Sequence, residues 1–229
     1  MEPLNFMYSY RTNDLRIINS YLNKFSGLTV KADVYDLSGS LKYSNTIAAS
    51  VDGDGIKKCF TIPSIAGLSN VYFLRLSLKD SKQETASVNW YWLSQKQDQL
   101  LWKNSKWFYT PQAGFTDFTA LRDMPSTTLS VHHSTAKKDE TIHTITVTNT
   151  GKAVAFFVHV RVLKEKNEDD ILPVIFSDNY ISLAPGESRI ITCSYDNKDA
   201  GSGSPYILTT AWNIDAAGSK ASGNAGFEK

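Results

Sequence analysis

LTVKADVYD, residues 28–36, places Leu28, Val30, Ala32 and Val34 on one face and Thr29, Lys31, Asp33 and Tyr35 on the other. Apolar and polar residues alternating with a period of two make a half-buried β-strand, because successive side chains of an extended chain point to opposite sides. VYFLRLSLKD, residues 71–80, has the same pattern, with Tyr72, Leu74, Leu76 and Leu78 opposite Val71, Phe73, Arg75 and Ser77. Around these two runs lie LNFMYSY, DLRIINSY, LKYSNTIAASV, GIKKCFTIP and TASVNWYWLS. They are separated by the turn signals Arg11-Thr12-Asn13, Ser38-Gly39-Ser40, Asp52-Gly53-Asp54-Gly55 and Lys79-Asp80-Ser81-Lys82. Pro63 closes its run because it has no N–H to give a ladder. About seven short strands and no helical periodicity predict an immunoglobulin-like sandwich over residues 1–97.

The second half repeats the pattern. In ETIHTITVTNTG, Ile142, Thr144, Thr146 and Thr148 oppose His143, Ile145, Val147 and Asn149. In AVAFFVHVRVLKE, Phe156, Val158, Val160 and Val162 oppose Phe157, His159, Arg161 and Leu163. STTLSVHHSTA, YILTTAWNI and two or three strands within residues 171–196 complete a second sandwich over residues 126–229, with a small, polar tail expected to fray. The fold class is therefore all-β: two tandem immunoglobulin-like β-sandwiches. Between them, residues 98–125 read as neither strand nor long helix, yet carry Trp102, Trp107, Phe108, Tyr109, Phe115 and Phe118. That is too apolar for a slack linker, and the expectation is a packed aromatic connector.

Composition narrows the function. Lys plus Arg is 24 and Asp plus Glu is 23, a net charge of +1, so there is no electrostatic footprint for nucleic acid. No run approaches the ~18 apolar residues of a membrane span, and residues 1–20 lack a signal peptide's layout. Cys59 and Cys193 lie in apolar runs of different predicted domains and read as buried free thiols. No Asn-x-Ser/Thr sequon occurs.

Catalytic and metal signatures are missing. His132 and His133 are strand neighbours and point to opposite faces, so at most one could join His143 in a site. Asp52-Gly53-Asp54-Gly55 has Pro63 where a calcium loop needs Glu, and reads as a hairpin turn. Glu168-Asp169-Asp170 reads as a solvated loop tip. There is no nucleophile elbow, phosphate loop or dinucleotide fingerprint. No metal, no cofactor and no catalysis by this chain alone are the expectations. Aromatics are the remaining signal: Trp90, Tyr91 and Trp92, then the connector. Each large ring buries roughly 150–250 Å², or about 4–6 kcal/mol as an upper bound at ~25 cal/mol/Å². Trp102, Trp107 and Tyr109 are therefore expected to be buried between the domains, and a sugar-stacking platform is the alternative.

WFYTPQAGFTDFTALRDMP, residues 107–125, and ILPVIFSDNYISLAPGESR, residues 171–189, together resemble the C-terminal immunoglobulin-like domains of glycoside hydrolase family 2. The similar subgroup is that of the exo-β-D-glucosaminidases and mannosylglycoprotein endo-β-mannosidases. EPLNFMYSY, residues 2–10, and NWYWLS, residues 89–94, extend the likeness to essentially the whole chain. The resemblance implies a non-catalytic C-terminal portion of a retaining β-glycosidase whose two catalytic glutamates sit on a (β/α)₈ barrel outside this sequence. Met1 would then not be a biological start. The implied partner is that barrel, with an oligosaccharide as a further one, and no nucleic acid or membrane. Polymeric substrates imply a periplasmic or extracellular location. Asp178, Asn179 and Tyr180 are candidates for meeting the barrel or a glycan, against the plainer reading of a hydrogen-bonded strand corner. A free-standing carbohydrate-binding module and a tandem-sandwich adhesion or scaffold protein are the alternatives.

Overall fold

The computed structural model describes residues 2–166, 169–201 and 203–214; the tail expected to fray and Glu168 lie outside them. The chain divides into two compact units, Met1–Asp123 and Met124–Lys229, so residues 98–123 group with the first.

The first unit contains β1 (Leu4–Tyr8), β2 (Asp14–Asn19), β3 (Phe25–Asp36), β4 (Leu41–Val51), β5 (Gly55–Thr61), β6 (Val71–Lys79) and β7 (Thr85–Ser94). A three-stranded sheet in the order β1-β2-β5 faces a four-stranded sheet in the order β4-β3-β6-β7, with antiparallel pairing. Their inner faces enclose Phe6, Leu15, Ile17, Leu28, Val30, Ala32, Val34, Leu74, Leu76 and Leu78. The alternation in residues 28–36 and 71–80 thus sets the core face of β3 and β6. Val71 and Phe73, on the opposite face of β6, are buried as well.

Turns are held by side chains suited to the local backbone. Asp36 Oδ1 accepts from the N–H groups of Ser38 and Ser40 at 2.9 and 3.0 Å, closing the Ser-Gly-Ser turn. The Asp-Gly-Asp-Gly turn is tied down by Asn19, whose Nδ2 donates to the carbonyls of Asn23 and Asp52, each at 2.8 Å. Gly53 is required there: a Cβ would stand 1.9 Å from the Leu22 carbonyl oxygen. Asp52 pairs with Lys24 at 3.0 Å.

Residues 98–123 form a hairpin. β8 (Gln99–Leu100) pairs with β9 (Gln112–Gly114), and 3-10 turns occupy Trp102–Asn104 and Thr119–Asp123.

The second unit contains β10 (Leu129–Lys137), β11 (Glu140–Asn149), β12 (Ala155–Leu163), β13 (Ile175–Phe176), β14 (Ile181–Leu183), β15 (Ser188–Asp196) and β16 (Tyr206–Thr210). A sheet in the order β10-β11-β15-β13 faces one in the order β14-β12-β16. β11 places His143, Ile145, Val147 and Asn149 inward together, on one of the two faces that the alternation separates. β12 departs from the prediction. Phe157 has φ of 50° and the pairing with β14 shifts register between Ala155 and Val158. A bulge adds one residue to a strand and reverses its facing, so Ala155, not Phe156, shares the core with Val158, Val160 and Val162.

Both cysteines are free thiols. Cys193 belongs to the second core, and burial pushes its pKa up to about 11. Cys59 is only half-buried. Among the described residues, no three His, Cys, Asp or Glu side chains gather to hold a metal, and no helix is long and apolar enough to cross a membrane.

Candidate functional site

The hairpin of residues 99–114 presents its aromatic residues outward. Leu101 N–H donates to the Pro111 carbonyl at 2.8 Å, and Lys106 N–H to the Tyr109 carbonyl at 2.7 Å. Ser105 and Thr110 share a hydroxyl hydrogen bond of 2.8 Å across the head. The second of these backbone bonds puts Trp107 and Phe108 at the apex of a tight turn, their rings edge to face with centroids 5.8 Å apart. Trp102 is 70% exposed, Trp107 94%, Phe108 78% and Tyr109 57%. The expected burial of Trp102, Trp107 and Tyr109 is therefore corrected. A hairpin satisfies its own backbone hydrogen bonds, so its head can project without packing. Leu121 and Met124, just beyond the hairpin, are buried.

Below the head, the first unit opens into a cleft of about 1040 Å³. Its lining comes from three places. The β1–β2 turn supplies Tyr10 and Arg11; the end of β7 supplies Trp92, Leu93 and Ser94; the hairpin and its approaches supply Gln97, Asp98, Leu100, Trp102, Thr116 and Phe118. The β1–β2 turn is fixed by Asn13, which has φ of 53° and accepts from the Tyr8 hydroxyl at 2.6 Å. Asn tolerates this left-handed backbone better than most residues. Tyr8, Tyr10 and Tyr91 form a mutual edge-to-face cluster with centroids 5.2–6.0 Å apart. Burial raises the pKa of each, that of Tyr8 to about 12, so all three stay protonated hydroxyls at neutral pH. Asp98 Oδ1 accepts from Thr116 N–H at 2.7 Å, which ties the hairpin's two ends together and orients the carboxylate.

In the second unit, Asp178, Asn179 and Tyr180 build a strand corner. Asn179 Oδ1 accepts from Val160 N–H and its Nδ2 donates to the Val160 carbonyl, both at 2.9 Å. One amide thus occupies both backbone groups of Val160 and stands in for a missing ladder partner. Asp178 accepts from Asn179 N–H at 2.9 Å and lies 3.7 Å from Arg189. Tyr180, with φ of 53°, stacks on His159 with centroids 4.3 Å apart and planes within 12°. Desolvation and the neighbouring Arg161 hold His159 below the usual histidine range. Arg161 itself is gripped in a two-pronged ion pair by Asp170, at 2.9 and 2.8 Å. Asp178, Asn179 and Tyr180 belong to the second unit, and Trp102, Trp107 and Tyr109 to the first.

Sequence reading did not single out Tyr10, Arg11, Gln97, Asp98 or Phe118 as site residues. They meet only through the β1–β2 turn and the hairpin. It also missed the buried set around His143. Thr135 Oγ1 lies 2.9 Å from His143 Nδ1 and Tyr195 Oη 3.1 Å from Nε2. Burial, together with the charge His133 would carry, pushes His143 down to about 4.

Residues 107–214 match the family described as the exo-β-D-glucosaminidase Ig-fold domain. The chain is 37% identical over 218 residues to an exo-β-D-glucosaminidase of Amycolatopsis orientalis, covering 93% of this chain and 21% of that protein. It superimposes on the crystal structure of the exo-chitosanase CsxA of the same organism with a TM-score of 0.87 and 35% identity, covering 93% of this chain and 26% of that one. A mannosylglycoprotein endo-β-mannosidase of Lilium longiflorum is 24% identical over 259 residues, with 27% of its length covered. The chain thus spans about a fifth to a quarter of the relatives it matches. The stretch they share with it lies in immunoglobulin-like sandwich structure.

Proposed function

We propose that this chain, whose residues 107–214 match the exo-β-D-glucosaminidase Ig-fold domain family, serves as the non-catalytic accessory sandwiches of a larger retaining β-glycosidase. That enzyme would be of glucosaminidase or mannosidase type and would act on polysaccharides or oligosaccharides outside the cytoplasm. The aromatic hairpin head is the surface this chain offers to the enzyme's catalytic barrel. The observation that carries the reading is the exposure of Trp107 and Phe108, 94% and 78%, side by side at the apex of one rigid turn. Clustered exposed aromatic surface marks an interaction site rather than ordinary surface, and aromatic residues dominate the energetics of interface centres. Relatives four to five times longer than the matched stretch contain the additional mass that such a head would meet.

The test uses the full parent polypeptide. Replacing Trp107 and Phe108 together by Ala is expected to lower its melting temperature and open the sandwiches to chymotrypsin. The isolated 229-residue chain should melt as before. A double variant of the parent with unchanged melting and unchanged protease sensitivity would sink the docking role.

A further inference from the structure

The cleft beside the hairpin has a composition that the docking role does not require. Trp92 and Trp102, 40% and 70% exposed, together with Tyr10 and Phe118, supply ring faces. Arg11, Gln97 and Asp98 supply polar groups of three kinds along the same cleft. The Arg11 guanidinium donates, the Gln97 amide keeps a second N–H beside the one it gives Asn13 Oδ1 at 3.4 Å, and the Asp98 carboxylate with one oxygen already engaged still has acceptor capacity. Ligand sites combine apolar walls with a few placed polar groups, in volumes of about 300–1,000 Å³; this cleft lies at the upper end, room for more than one sugar ring. Sugar rings need this pairing: an axial C–H face that covers an aromatic ring, and a rim of hydroxyls that both donate and accept.

We propose that this cleft is a carbohydrate-binding site for a short β-linked pyranose chain, with rings lying against Trp92 and Trp102 and hydroxyls or amines meeting Arg11, Gln97 and Asp98. The choice of glucosamine and mannose chains as ligands rests on the glycosidase reading above; the presence of a sugar site rests on the cleft itself. Such a site, on sandwiches attached to a glycosidase, would keep a polymeric substrate near the enzyme between cleavages.

Titration calorimetry on the 229-residue chain, with Trp fluorescence alongside, tests this with three probes: a β-1,4-linked glucosamine tetramer, a β-1,4-linked mannose tetramer and maltotetraose as the α-linked control. Binding of at least one β-linked tetramer is expected, with maltotetraose weaker by about tenfold or more. Trp102→Ala, a substitution at an exposed position, should weaken binding by about tenfold, and Trp107→Ala should leave it unchanged. Trp92→Ala should act like Trp102→Ala once circular dichroism shows the fold intact; if it misfolds, the Trp102→Ala result decides. Asp98→Asn separates the two sugars: it should weaken the glucosamine tetramer, whose ammonium groups pair with a carboxylate, more than the mannose tetramer. No heat and no fluorescence change with either β-linked tetramer at several millimolar would overturn the proposal. So would binding that survives Trp102→Ala, or equal binding of maltotetraose. Because the docking test reads Trp107 and Phe108 in the parent polypeptide and this one reads Trp92, Trp102 and Asp98 in the chain alone, either can fail while the other stands.

Discussion

The two sandwiches share a seven-strand plan but tie their strands and turns with different chemistry. The first relies largely on buried carboxylates. Asp14, 1% exposed, takes a two-pronged pair from Arg16 at 2.7 and 3.0 Å and a contact from Lys58 at 3.3 Å. Asp33 holds Lys31 at 2.9 Å and the Ser44 hydroxyl at 2.7 Å, and Asp36 holds its own turn and Lys42. The second relies on amides. Asn149 donates to the carbonyls of Ala153 and Leu183 and accepts from the Thr127 hydroxyl and Gly151 N–H. Asn213 donates to the Pro125 and Val154 carbonyls and accepts from Phe156 N–H. A carboxylate only accepts, so it needs a cation or several N–H groups around it. An amide donates and accepts, so it satisfies buried backbone of both kinds without bringing in charge. The first sandwich is thereby tuned by charge and the second by shape, and the two should respond differently to mutation and to pH.

The sharpest way to break that contrast is at Asn149. Asn149→Ala strands the Leu183 carbonyl and the Gly151 N–H, while the Thr127 hydroxyl and the Ala153 carbonyl keep each other at 3.2 Å, and should cost about 2–4 kcal/mol at roughly 1–3 kcal/mol per unsatisfied buried group with partial relaxation. Asn149→Asp should be nearly as damaging despite its matching shape, because a carboxylate cannot donate to Ala153 and Leu183. Urea unfolding measures both, and an Asp variant close to wild type would end the claim that donation is what matters here. In the first sandwich, Gly53→Ala should cost about 2–4 kcal/mol, since its Cβ must displace the Leu22 backbone. A smaller loss in the same melts would mean that the turn yields.

pH gives the next effect in size. His143 is held at about 4 against an ordinary 6.5, so the unfolded chain takes up the proton first. Its contribution is complete above pH 6.5, is lost as pH falls toward 4, and levels off below that. The loss should be of the order of 1–3 kcal/mol. Asp36 sits below the ordinary 3.8, held there by the Ser38, Ser40 and Lys42 contacts against the opposing effect of burial. Its contribution is complete above 3.8 and fades only below it, as does that of Asp14, depressed chiefly by Arg16. Thermal melts between pH 7 and 4 should therefore lose stability through the second sandwich, and His143→Gln should flatten the curve. A His143→Gln protein with the wild-type slope would assign the loss elsewhere. The smallest effect belongs to the hairpin head: Trp107→Ala should shift the stability of this chain by no more than about 0.5 kcal/mol, as for an exposed side chain. A larger change would show that the head packs in solution.

Much of this was legible in the sequence. Alternation at residues 28–36, 71–80 and 140–149 located β3, β6 and β11 and sorted their residues into two faces, because strand facing depends only on residue parity. The same rule failed at Phe156, since a bulge is a local backbone choice that parity cannot register. The family resemblance rested on the aromatic segment 107–125 and the SDNY string, and the match to residues 107–214 covers both. Their roles did not follow. Asn179 became a plug for Val160 only once β12 lay beside it, and the cleft residues are far apart in the chain.

The sequence alone determined two β-sandwiches, the alternation of most of their strands, their free cysteines and their kinship, all properties of local pattern. Tertiary structure decided where the aromatic residues of 98–125 would go. Composition says that Trp107 is costly to leave in water, but a hairpin whose backbone is satisfied internally can hold it there. Whether a hydrophobic side chain is buried depends on what lies across from it, and no run of residues contains that information.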